Sequence, residues 1–163
     1  MNHVSTARIL ADKALQTPCG EECVQWAGSM LEQGHDGRNL VFLAGMTPPF
    51  NHFELADLRD RALVEIGVSA ISESAAVRKY AAEALQRALA GETDLVKTLR
   101  ALKNLCIAHD YHPDLYDLYL LYFAYMDLLD SEEQFYWPTA TRDNILTVLE
   151  QQTNQLAQDF DSA

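Results

Sequence analysis

The stretch from His109 to Trp137 gathers most of the side chains in this sequence that could do chemistry. It holds His109, Asp110, His112, Asp114 and Asp117, six of the seven tyrosines, and the run Phe135-Tyr136-Trp137. Tyrosine and tryptophan combine a large apolar ring with a polar group that needs a partner when buried, the chemistry of interfaces and polar-lined pockets. Asp110, Asp114, Tyr116, Asp117, Tyr119, Tyr122, Asp127, Tyr136 and Trp137 are therefore the candidate binding residues.

A metal-centred alternative uses the same region. His109 and His112 with one of Asp110, Asp114 or Asp117 would supply two imidazoles and a carboxylate, the donor set of several catalytic metals. Against it, His109 continues the stripe of Leu102 and Cys106 and reads as a core histidine, while His112 precedes Pro113 and reads as a helix cap. Asp127 and Asp130 fall near a helix C-terminus, where the macrodipole disfavours each negative charge by about 0.3–1 kcal/mol. Asp130 or Ser131 can cap the next helix; Asp127 has no such role and reads as a solvated edge.

Cys19 stands at or just before a helix N-terminus, which would stabilise a thiolate, but Glu21 and Glu22 oppose that. Cys19, Cys23 and Cys106 cannot all pair within one chain, and the Cys19/Cys23 spacing is no redox or zinc motif. The expectation is three reduced thiols. No phosphate loop, dinucleotide fingerprint, nucleophile elbow or HExxH motif occurs, so no catalytic group, metal ligand or cofactor is assigned.

The elements that must position these side chains read as helices throughout. Amphipathic spacing and stop signals predict helices over 5–16, 20–33, 51–66, 73–90 and 94–109, with Pro18, Gly34, Gly67 and Gly91 as terminators. The short apolar segment 38–46 is a buried helix or, second, a strand. Asn51 with Glu54, and Ser131 with Gln134, have the form of capping boxes. Pro113 opens a helix over 115–129 that is apolar or aromatic on nearly every side. The second box starts a short helix that Pro138 interrupts, and Thr141 caps a final helix toward Ala157.

The predicted fold is all-α, about eight helices in antiparallel hairpins forming one bundle or a short solenoid-like stack, a single domain over 1–163. A chain of 163 residues buries roughly 70% of its unfolded surface and needs no staple. The N-terminal residues carry no export signal and no segment is long and apolar enough to span a bilayer, which predicts a cytoplasmic protein.

Charge narrows the partners. Of the net −12, residues 1–103 hold 13 acids and 11 bases, whereas residues 104–163 hold 11 acids and one base, Arg142. Such a field repels nucleic acid phosphates and anionic membranes. The expected function is a non-enzymatic, acidic protein-binding module for a basic partner, such as an inhibitor or immunity-type protein. The alternatives are the metal-dependent helical enzyme above and a homodimer built on the aromatic helix.

Overall fold

The computed structural model describes residues 3–162. Met1, Asn2 and Ala163, which the domain limits and the export-signal reading include, lie outside the described residues. Within them the chain is all-helical: α1 (Thr6–Ala14), α2 (Glu21–Glu32), α3 (Arg38–Ala44), α4 (His52–Glu65), α5 (Glu73–Leu89), α6 (Leu95–Ala108), a 3-10 turn (Pro113–Leu115), α7 (Tyr116–Asp130) and α8 (Ile145–Asp161). No strand occurs among the described residues, so the segment after Gly37 is a helix. None of these helices is long and apolar enough to cross a membrane.

The helix ends follow local chemistry. Ser5, Asn51 and Asp94 each accept a backbone N–H of the first turn they open, satisfying donors that have no partner inside the helix. Gly67 and Gly91 adopt φ of 78° and 80°, and the next residues close the turn with Val68 N to Leu63 O at 2.9 Å and Glu92 N to Arg87 O at 3.0 Å. α3 lacks a local cap. The Glu65 carboxylate, at the end of α4, accepts from Asn39 N (3.0 Å), Leu40 N (3.2 Å) and Asn39 Nδ2 (2.6 Å). A Cβ on Gly37 would overlap that carboxylate, which explains glycine there.

The chain forms two compact units, Met1–Ala76 and Val77–Ala163, with the boundary inside α5. In the first, α1 packs on α2, α2 on α3 and α3 on α4 around Ile9, Trp26, Ala27, Leu40, Leu43 and Leu55. Trp26 is fully buried and its indole N–H donates to Thr6 Oγ1 at 3.0 Å. In the second, α6 and α8 both pack on α7, and the 3-10 turn packs on α6 and α7. Leu99, Leu102, Cys106, Leu115, Leu118, Leu121 and Leu149 are buried there.

Three expectations need correction. Cys19 and Cys23 are joined in a disulfide, and only Cys106 is free and buried. Cys19 precedes the N-cap Gly20 and Cys23 lies in the first turn of α2, and their Cα atoms, 6.2 Å apart, fall within bridging range. Disulfides persist mainly in oxidising compartments, so reduced thiols no longer support a cytoplasmic setting. Second, no helix follows Ser131. The Gln134 side chain instead folds the loop around itself, accepting from Tyr136 N and Trp137 N and donating to Trp137 O and Ala140 O. Third, α8 begins at Ile145 rather than at Thr141, whose N–H donates to Asn144 Oδ1 at 2.7 Å.

Candidate functional site: an aromatic face on α7

Helical spacing puts Tyr116, Tyr119, Phe123 and Asp127 of α7 on one stripe, at i, i+3, i+7 and i+11. The opposite side of the helix, with Leu118, Leu121, Ala124 and Leu128, is buried within the second unit. The stripe gathers two further rings from outside the helix, Tyr111 before it and Tyr136 after it.

Tyr119 is the hub. Its ring stacks on Tyr116 (centroids 5.4 Å, planes 12° apart) and meets Tyr111 edge-on at 5.6 Å, Phe123 at 4.9 Å and Tyr136 at 6.5 Å. Phe123 also contacts Tyr136 at 5.5 Å and Tyr122 at 5.4 Å. Offset stacks and edge-to-face pairs are the arrangements the ring quadrupole favours, worth about 0.5–1.5 kcal/mol per pair beyond area burial. Burial, then the neighbouring Tyr111, Tyr136 and Tyr116 hydroxyls, pushes the Tyr119 phenol above the ordinary tyrosine value. Tyr111 and Tyr116 nevertheless remain 52% and 43% exposed, so the cluster forms a surface.

The backbone before the helix works to hold Tyr111 in place. His112 N returns to Cys106 O at 3.1 Å, and between them Asp110 and Tyr111 take φ of 53° and 56°. The left-handed region costs a residue with a Cβ about 1–2 kcal/mol. Asparagine and aspartate tolerate it, but tyrosine there is an outlier of the kind that concentrates at functional sites.

Cations close one side of the cluster. Lys103 Nζ of α6 lies 4.8 Å from the Tyr122 centroid and 5.5 Å from that of Phe123, and Arg100 Nε donates to the Tyr122 hydroxyl at 3.1 Å. At the far end of α7, Arg142 donates to Leu129 O at 3.2 Å and pairs with Glu132 at 3.1 Å. It thereby satisfies a terminal helix carbonyl and offsets part of the negative end of the helix dipole.

Among the candidate residues, Tyr116, Tyr119 and Tyr136 converge in the cluster, and Tyr122 sits beneath it, buried. Asp110 and Asp117 are exposed beside Tyr111 and Tyr116 in the chain, and half-buried Asp127 ends the stripe. Asp114 is half-buried 3.7 Å from Arg78, which also donates to Asp159 O at 2.9 Å and covers the Phe160 ring, tying α5 to the 3-10 turn and the end of α8. Trp137 is half-buried and held through its backbone by Gln134 rather than through the ring cluster. Sequence reasoning did not name Tyr111, Phe123 or Lys103 individually, and it gave Gln134 only a helix-capping role. The i, i+4 spacing of Tyr119 and Phe123 was a signal for one of them.

The histidines are placed apart in role. His109 caps the C-terminus of α6, and His112 Nδ1 accepts the Asp114 N–H at 3.3 Å to cap the 3-10 turn. Among the described residues no three His, Cys, Asp or Glu side chains are grouped as metal ligands. In the first unit, Leu10, Leu63, Val68 and Ile71 line a cleft of about 180 Å³ with the Lys13–Asp60 pair (3.4 Å) at its edge. That volume is below the roughly 300–1,000 Å³ usual for ligand pockets. No protein-family model matches this chain, and no curated protein and no solved structure matches it.

Proposed function

We propose that this protein is a non-enzymatic binding module whose α7 face docks a basic protein, with inhibition of a cationic target as its role. One observation carries this reading: five rings from two separated segments converge on a face where Tyr111 and Tyr116 stay about half exposed. Clustered, partly exposed tyrosines held rigidly at a surface have the composition and order of binding hot spots, since little side-chain entropy remains to be lost on docking. Exposed Asp110 and Asp117 are next to Tyr111 and Tyr116 in the chain, and the net charge of −12 adds long-range attraction for a cation.

The test is affinity capture from a lysate of the native source with three baits: the wild-type chain, Tyr116→Ala and Asp117→Asn. The reading expects a basic protein in stoichiometric amount, released by rising salt and lost from both variant baits. A captured protein that both variants retain equally would place binding elsewhere on the chain and sink the assignment to α7.

A further inference from the structure

We infer that the α7 face is selective for arginine over lysine, the occupant being an arginine-bearing segment of the partner whose guanidinium groups lie on the Tyr111 and Tyr116 rings. This rests on the docking role proposed above and adds the side-chain chemistry that the face reads.

The argument begins with which ring surfaces remain available. Lys103 takes the Tyr122 and Phe123 side of the cluster, so cation–π attraction there is already satisfied from within. Tyr119 is enclosed by four rings. Stacking on Tyr119 uses one face of Tyr116, a residue that is still 43% exposed; Tyr111 is 52% exposed. These two rings are the open part of the face.

Their neighbours supply the charge. Asp110 and Asp117 are exposed, each adjacent in the chain to one of the open rings, and neither has an ion-pair partner among the described residues. Asp127 and Asp130 extend negative charge to the C-terminal end of α7, where the helix dipole adds to it. A position that costs the free protein stability becomes favourable once a cation arrives, which accounts for carboxylates at a helix end that disfavours them.

A flat tyrosine face beside a carboxylate discriminates between the two basic side chains. Guanidinium is planar and weakly hydrated, stacks on a ring and still presents a fork of N–H donors to a carboxylate at its edge. An ammonium is compact and strongly hydrated, and it gains chiefly the charge term. The chain sets cations of both kinds over its own rings, the Arg38 guanidinium 5.5 Å over Phe42 and that of Arg78 5.4 Å over Phe160, and the Lys103 ammonium over Tyr122 and Phe123, so the preference for arginine rests on the planar shape and weak hydration of the guanidinium.

The experiment is titration calorimetry of the full chain with two twelve-residue probe peptides of equal charge, one alternating arginine with serine and the other lysine with serine. The arginine peptide should bind about three-fold or more tighter, the factor a partly exposed cation–π contact supplies. Tyr116→Leu, which keeps apolar bulk and removes the ring, should bring the two affinities together, and Tyr116→Phe should keep them apart. Circular dichroism confirms that both variants are folded. Equal affinities for the wild-type chain, or a preference that Tyr116→Leu leaves intact, overturn the arginine selectivity while leaving a basic-partner role standing. Binding of neither peptide overturns both.

Discussion

The two units use aromatic residues in opposite ways. In Met1–Ala76 the one tryptophan is fully buried, with its N–H satisfied by Thr6, and it holds α1 to α2. In Val77–Ala163 four tyrosines, Tyr111, Tyr116, Tyr119 and Tyr136, are assembled on one another at the surface, over a core already filled by leucines. A ring in the interior stabilises by area removed from water, whereas a ring held half-open by other rings gains less from folding and retains surface for a partner. Polar side chains diverge in the same way. The first unit spends Glu65 on the N-terminus of α3, while the second leaves Asp110 and Asp117 exposed beside the rings.

That contrast is sharpest for Trp26→Ala, which should cost about 3–5 kcal/mol in chemical denaturation. A loss under about 1 kcal/mol would remove the distinction between core and surface rings. Asn51→Ala, which strips the side chain accepting from Phe53 N and Glu54 N, should cost about 1 kcal/mol by the same measurement.

Glu65 sets a pH signature for the first unit. Hydrogen bonds from Asn39 N, then from the Asn39 side chain and Leu40 N, hold its carboxyl below the ordinary 4.5, against a smaller opposing effect of burial. A depressed folded pKa means stability that is present above about pH 4.5 and lost as pH falls through the folded value. Melting temperature followed from pH 7 to pH 3 should therefore show wild type above Glu65→Gln at neutral pH, with the curves converging in acid. Parallel curves would show that the cap contributes nothing.

The second unit should answer at the alkaline end. Tyr119, whose phenol is raised above 10, should ionise late in an ultraviolet titration, and Tyr119→Phe should delete that late step. Tyr116→Ala, which removes one stack on Tyr119, should lower stability in chemical denaturation by about 0.5–1.5 kcal/mol. A larger loss would make the ring cluster a structural element in its own right.

Much of the helical plan was legible because helix signals are local. Asn51 caps where its spacing from Glu54 placed it, α1 and α6 open next to Ser5 and Asp94 at the expected limits, and Gly67 and Gly91 stop helices where a left-handed residue is needed. The capping-box pattern failed at Ser131, because Gln134 found backbone partners in the loop rather than in a helix. Spacing alone does not decide between those outcomes. The Cys19–Cys23 bridge was missed for a related reason, since a four-residue spacing matches no motif and its closure depends on how the chain enters α2.

Charge shows most plainly what the linear order conceals. Residues 104–163 hold 11 acids and one base, yet the second unit as a whole has 14 acids and 7 bases against 10 and 5 in the first. Six of these seven bases come from α5 and α6, and packing brings two of those on α6, Arg100 and Lys103, to the rings of α7. The sequence by itself determined helix content, most helix limits and the concentration of tyrosines, because these follow from period, caps and composition over a few residues. Only the tertiary structure decided which rings meet, which acids are already paired and where cations close the cluster, because each depends on contacts between segments far apart in the chain.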